Sequence, residues 1–468
     1  MIRARRLIAI FLAIIFLNGT TALACGPFTL EAVFVHTVHP AYPLERFAAG
    51  RIGVVQPSYA RSYLYVAYRY LSGLSFTPAE QKALVSLWRH RLTFQPEDEG
   101  DSDWTKVWFT ARQKVPGVQS QGVSIDIYRT REKPNDYESY INCNKDAFET
   151  AAATLNQRIA KFGAGSPEIQ SWVQAQDQVF SNCTIGKSIP EPAPQTADAL
   201  LRADRAYQIA AANFYSADFD TARKQFETIA GDNGSPWQRA AEFLVARSLI
   251  RKGSLGPPEQ KQESLSAAES QLKKVLADKN LADFHPSATR LLNLVRLRLR
   301  PHERRHELGQ ALLAKNENPT LKQDLWDYTV LMDQSLEGEQ KKAVDAFKGD
   351  DLSDWIVTFQ SEYAATFDHS LERWQTTRSA PWLIAALSQA EGKHARAGEL
   401  ISEALKVKPN APAFASAQFH AVRLLMESDK NEQARSLLDQ LFKNNRDQFD
   451  TASLNLLTSK RMLVATTL

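Results

Sequence analysis

The chain has 468 residues, 44% of them hydrophobic and 23% charged, which exceeds one ordinary domain of roughly 50–250 residues and excludes a disordered or fibrous chain. Lys and Arg number 56 against 53 Asp and Glu, and a formal balance of +3 argues against nucleic acid or an anionic membrane surface as the main partner. Frequent Ala and Leu with few alternating Val, Ile or Thr residues predict an all-α fold, with an amino-terminal helical domain followed by an array of helical pairs.

In chain order, residues 1–24 read as a signal peptide. Arg3, Arg5 and Arg6 are basic, Leu7 to Leu17 is apolar, and Ala22-Leu23-Ala24 forms a small-x-small cleavage site. Its removal takes three positive charges and no negative ones, so the mature balance is 3 − 3 = 0. No later run approaches the ~20 apolar residues of a membrane-spanning helix. An exported chain in the periplasm or cell envelope is expected, where disulfides persist. Cys25 follows the cleavage site and carries two readings. As a lipidated first residue it would tether the chain and leave an even pair of cysteines. The alternative is an ordinary cleavage site, which suits Ala22, Leu23 and the polar Asn18–Thr21 spacer better. Membrane association is expected only through that anchor.

Residues 25–189 read as the amino-terminal domain. Gly26 to Gln56 is broken by Pro27, Pro40 and Pro43, with Ala32–Val38 as a short strand or extended arm. His36 and His39 are candidate metal ligands against exposed or structural roles. Tyr59 to Leu71 is predicted helical, with Tyr63, Tyr65, Tyr68 and Tyr70 as core rather than ligand site. Thr77-Pro78-Ala79-Glu80 opens the next helix with a cap, a first-turn proline and an acid. Pro96 to Asp103 is acidic; carboxylates suit calcium, but the spacing departs from the EF-hand loop, and a solvated loop is expected. Trp104–Val115 is predicted helical and Ser124–Tyr128 a small strand.

Lys145–Phe162 and Glu168–Phe180 are predicted to form an antiparallel hairpin about the Gly163–Pro167 turn, with Ser166 as cap. Cys143 and Cys183 flank its open end, so a Cys143–Cys183 disulfide is predicted there in preference to separate thiols or a metal site. Pro190, Pro192 and Pro194 mark a linker at 190–196.

From 197 to 468 the pattern is of helical pairs. The clearest is Trp382–Pro409: Ile384 and Ala385 on a first helix, Gly392 in the turn, and Ala397, Ile401 and Ala404 on a second, with Leu387, Leu400 and Leu405 filling space beside them. Ala206, Ile209, Ala210, Phe219, Ala222, Phe226 and Ile229 repeat it, as do Ala421, Leu425, Ala434, Leu438 and Leu441. Weaker pairs are Trp237–Lys252 with Ser264–Leu276 and Ala288–Leu299 with His302–Ala314. Further helices are expected at Thr320–Asp333 and Leu352–Thr366, a charged insertion at Gly338–Gly349, and a capping helix at Phe449–Ser459. This spacing resembles the tetratricopeptide repeat, an α-solenoid module whose single hairpin cannot bury its apolar face without neighbours. The resemblance implies a protein- or peptide-binding scaffold, without cofactor or catalysis, that holds its partner on a concave surface.

One motif offers another function. His302-Glu303-Arg304-Arg305-His306 matches H-E-x-x-H, in which His302 and His306 would ligate zinc and Glu303 would activate water in a hydrolase; Gly309 extends the match. Against it stand Pro301 before the motif, the charges of Arg304 and Arg305, and Leu312 where a third ligand is needed. Glu317, Glu337 and Glu339 remain as downstream candidates. The competing reading is a surface helix with Leu308, Leu312 and Leu313 buried.

Overall fold

A computed structural model describes residues 40, 43–93, 104–118, 125–130, 139–336, 347, 349–361 and 365–466. The leader, Cys25, the Ala32–Val38 segment, His36, His39, the acidic 96–103 stretch and most of the 338–349 insertion lie outside them.

The fold is all-α, with one two-stranded antiparallel hairpin among the described residues. The first helices are α1 (Leu44–Ala48), α2 (Arg61–Leu71), α3 (Pro78–Thr93) and α4 (Lys106–Arg112). Strands β1 (Tyr128–Thr130) and β2 (Ser139–Ile141) pair with Arg129 opposite Tyr140. β1 begins at Tyr128, the last residue of the expected Ser124–Tyr128 strand. Then come α5 (Lys145–Phe162), α6 (Pro167–Ser181), α7 (Ala199–Tyr215), α8 (Phe219–Ala230), α9 (Gln238–Leu255), α10 (Lys261–Ala277), α11 (His285–Leu299), α12 (Pro301–Leu312) and α13 (Leu321–Leu336). The carboxy-terminal array is α14 (Asp351–Gln360), α15 (Ala365–Thr377), α16 (Ala380–Gln389), α17 (Ala397–Leu405), α18 (Phe414–Glu427), α19 (Asn431–Asn444) and α20 (Thr451–Leu463).

Local chemistry sets the boundaries. Thr77 and Glu80 cap α3 reciprocally, with Thr77 N–H to Glu80 Oε2 at 2.8 Å and Glu80 N–H to Thr77 Oγ1 at 3.2 Å. Between α5 and α6, Gly163 adopts φ +87°, where a side chain would be strained, and Ser166 Oγ accepts from Ile169 N–H ahead of Pro167. Asp198, Asp218, Asp350 and Asp450 cap α7, α8, α14 and α20 in the same way. The expected helix Leu352–Thr366 stops at Gln360, because Ser361 turns extended with ψ 141°.

Each helix from α4 to α13 packs on the next. In the array, α14, α16, α18 and α20 also stack directly on one another, the arrangement in which each hairpin covers its neighbour's apolar face. Ala385, Ala404 and Ala421 are fully buried where backbones approach, and Leu387 and Leu400 fill the adjoining space. Leu405, expected beside them, is 47% exposed, because α17 ends there and its last turn faces solvent. Gly392 is required by close approach: a Cβ there would stand 2.7 Å from the Glu427 carbonyl carbon and 2.8 Å from Leu424 O.

Three buried cores result. One runs from Trp108 to Val245, a second from Phe243 to Val295, and the third joins Leu44–Trp88 to Leu308–Val464. The proline-rich 190–196 stretch is held along α7 by Arg205 and Arg202, which donate to Glu191 O and Gln195 O, and α6 packs directly on α7 across it. The third core brings the earliest described helices onto the last ones.

Candidate functional site

The open end of the α5–α6 hairpin is closed by the Cys143–Cys183 disulfide, whose Cα atoms are 5.4 Å apart and whose side chains are fully buried. Neighbouring polar side chains fasten this end to α7. Asn142 Nδ2 donates to Asn182 O, Cys183 O and Tyr215 O, and Arg129 donates to Thr184 O and Tyr215 O. Helix-end carbonyls that would otherwise be buried without donors are thereby satisfied.

Beside this knot lies a cleft of about 430 Å³ between the β hairpin, the α7–α8 turn and the end of α9. Arg129, Tyr140, Lys187, Asp218, Phe219 and Lys252 contribute to its walls. Lys252 Nζ is 2.7 Å from Asp220, so these opposite charges offset each other. Tyr128 and Ile185, 50% and 67% exposed, lie on the β1 segment and just after Cys183, adding apolar surface nearby. The cleft falls within the few-hundred-Å³ range of ligand sites. Its residues come from five separated segments, which is why no contiguous sequence motif marks it.

The faces of α13, α14 and α16 are covered in part by the chain itself. Helix α2 packs on α13, α14 and α16, and ten of its eleven residues are buried. Tyr65 Oη and Arg69 Nη1 donate to Leu312 O at 2.9 and 2.6 Å, capping α12. The segment before α2 is irregular, with a bend at Val54 and a turn at Pro57–Ser58, and is held by its backbone. Val54 N–H donates to Ser453 Oγ at 3.0 Å, Val55 N–H to Ser416 Oγ at 2.9 Å, and Gln360 Nε2 to Pro57 O and Tyr59 O at 3.0 Å each. The tyrosines of α2 are core residues, as the spacing implied. Burial pushes the Tyr65 and Tyr68 hydroxyls above the ordinary tyrosine range, with the Asp351 hydrogen bond adding to the effect at Tyr68.

The H-E-x-x-H residues lie on α12, with His302, Glu303 and His306 all exposed. His306 Nε2 is 2.9 Å from Gln310 Nε2, and Glu303 is 3.3 Å from Arg300 Nε. Arg304 and Arg305 point the other way, into the protein, where Arg304 meets Glu307 and Asp324 and Arg305 lies 4.0 Å over the Phe347 ring. Leu308 and Leu312 are buried, and Gly309 is explained by packing, since a Cβ there would stand 2.7 Å from Asp350 Oδ2. Among the described residues no group of three His, Cys, Asp or Glu side chains forms a metal site. Glu317 is exposed, and Glu337 and Glu339 lie outside the described residues. A catalytic zinc centre needs three protein ligands and an open position, and among the described residues His302 and His306 have no third ligand beside them.

The buried ionisable groups hold helices together. Asp204, fully buried, accepts from Arg158 Nε and Nη2 at 2.7 and 2.9 Å and from the indole N–H groups of Trp172 and Trp237 at 3.0 and 2.8 Å. Asp354 accepts from His369 Nε2 at 2.8 Å and Thr358 Oγ1 at 3.2 Å. Half-buried Asp351 likewise joins Tyr68, Arg373 and Trp382.

No family model, curated protein or solved structure matches the chain.

Proposed function

We propose that the protein is an exported cell-envelope scaffold, similar in its hairpins to tetratricopeptide-repeat proteins, that binds a protein or peptide partner and performs no chemistry of its own. The observation that carries this reading is the stack of hairpins, which spreads exposed helix faces and one open cleft over a long surface while its buried charges are spent on internal bonds. Export is supported by the leader pattern of residues 1–24 and by the pairing of Cys143 with Cys183. Lipidation of Cys25 would add a membrane tether.

The concave-face expectation needs adjusting in this reading. The stacked faces of α14, α16 and α18 already hold α2 and the segment before it, so the partner is assigned to the cleft beside the disulfide, with Tyr128 and Ile185 at its side. Mixed charge with exposed aromatic and aliphatic groups suits a peptide better than nucleic acid. The test is cross-linking in envelope extracts with wild type and with the Tyr128→Ala/Ile185→Asp variant, whose changes are on the surface. A partner captured by wild type and lost from the variant is expected. An identical set from both proteins, or none from wild type, would sink the assignment.

A further inference from the structure

Between α8 and α9 the chain turns through Asp232-Asn233-Gly234-Ser235, closed by the hydrogen bond from Ser235 N–H to Asp232 O at 3.0 Å. Its two central residues, Asn233 and Gly234, are both exposed. No other asparagine after residue 25 is followed by glycine, the remaining such pair being Asn18-Gly19. A Cβ built at Gly234 would meet only Asp232 Oδ1, at 3.3 Å, so the Gly234 nitrogen lies in open space with no side chain shielding it. The hydrogen bonds around this pair suit an attack of that nitrogen on the asparagine amide. Gln238 Nε2 donates to Asn233 Oδ1 at 2.8 Å, which polarises the amide carbon and is placed to hold an oxyanion. Gly234 N–H donates to Asp232 Oδ1 at 2.9 Å, so the proton this nitrogen must lose already faces a carboxylate.

We propose that Asn233 is a self-modification site, converted through a cyclic imide into a mixture of aspartate and isoaspartate. Gly234 N loses its proton toward Asp232 and attacks Asn233 Cγ. The new C–N bond creates a tetrahedral centre whose negative charge rests on Oδ1, held by Gln238. The Cγ–Nδ2 bond then breaks, and Nδ2 takes up a proton and leaves as ammonia. Water is the co-reactant of the second step: it adds to one imide carbonyl, a C–O bond forms, one C–N bond breaks, and the proton returns to Gly234 N. Opening at Cγ gives aspartate, and opening at the main-chain carbonyl gives isoaspartate. The turn seats Trp237, so the product matters to the packing. Trp237 N–H donates to Ser235 Oγ at 3.2 Å, its ring stacks on Tyr207 with centroids 3.9 Å apart, and its indole N–H donates to Asp204 Oδ1 at 2.8 Å. Both products set a second carboxylate beside Asp232, and isoaspartate also routes the backbone through an extra methylene inside the closed turn. The start of α9 is thereby loosened, and with it one donor to Asp204.

The test is mass spectrometry of digests of the full-length protein, sampled over time in mildly alkaline buffer made with oxygen-labelled water. The expected result is that the peptide containing Asn233 gains the mass of an amide-to-acid exchange, carries labelled oxygen, and separates into aspartyl and isoaspartyl forms, ahead of every other asparagine peptide between residues 25 and 468. Gln238→Met should slow the reaction about tenfold, the worth of one hydrogen bond to a charged oxygen. Gly234→Ala should slow it as well, by shielding the nitrogen. An Asn233 left intact while other asparagines react, or an unchanged rate in folded Gln238→Met, overturns the inference. Should Gln238→Met fail to fold, Gly234→Ala takes its place: a slower reaction upholds the inference, and a rate equal to wild type overturns it.

Discussion

Asp204→Ala should be among the most damaging single substitutions in this protein. The carboxylate is fully buried and receives four hydrogen bonds, two from Arg158 on α5 and one each from Trp172 on α6 and Trp237 just before α9. It therefore ties the disulfide hairpin to the array that follows. Arg158, whose side chain is 9% exposed, would be left as a buried cation without its counter-charge. Removing one partner of a buried ion pair costs about 3–5 kcal/mol. The stranded Trp172 N–H belongs to a residue only 4% exposed and adds to that, whereas half-buried Trp237 has water within reach. Urea unfolding followed by tryptophan fluorescence measures the loss directly. The double variant Arg158→Met/Asp204→Leu separates the charge argument from a packing one. An apolar pair of similar volume is often neutral or better, so most of the stability should return. A loss below about 1 kcal/mol in Asp204→Ala, or a double variant as weak as the single one, would refute the reasoning.

Two other outcomes follow from separate features. Replacing both Cys143 and Cys183 by Ser frees a loop closed over 40 residues, worth about 4 kcal/mol in the chain-entropy treatment, and the urea midpoint should fall to match; an unchanged midpoint would refute it. His420, on α18, is held down to about 3 by burial first and then by Arg423 and Lys460. Its folded value lies below the unfolded one near 6.5, so its cost is absent above pH 6.5 and grows by about 1.4 kcal/mol per unit as pH falls from there toward 3. At pH 5, His420→Leu should therefore lose about 2 kcal/mol less than wild type relative to pH 7, and equal losses would contradict this.

Much of the local architecture was legible in the sequence because local physics decides it. Ser166-Pro167 and Thr77-Glu80 start helices where their capping chemistry dictates, and the two cysteines flank a hairpin whose antiparallel geometry brings its ends together. What stayed hidden is non-local. Nothing near Val54 or Val55 in the chain encodes Ser453 or Ser416, which lie 399 and 361 residues away. A signal was nevertheless present. Eight of the eleven residues of α2 are apolar or aromatic, with Arg61, Ser62 and Arg69 gathered on one side, and such a helix has to be covered over most of its girth. Its spacing pointed to a core but not to which one. The H-E-x-x-H match shows a complementary limit: a five-residue pattern reports helical phase, while ligand geometry depends on what the other elements bring to that face.

The packing of α2 on α13, α14 and α16 also bears on where a partner could dock. Asn142 and Arg129 together satisfy Asn182, Cys183, Thr184 and Tyr215 carbonyls at the closed end of the α5–α6 hairpin, so the wall of the cleft is fixed before any partner arrives. A partner docking there would order few protein side chains beyond exposed ones such as Tyr128, Ile185 and Lys187. Each rotamer-rich side chain that does not have to be immobilised spares roughly 0.5–1.5 kcal/mol of binding free energy. In the proposed reading the disulfide would serve binding as well as stability: opening it would loosen the strand pair on one side of the cleft. For a partner bound where proposed, the constraint that keeps that edge of the protein rigid lies at Cys143 and Cys183.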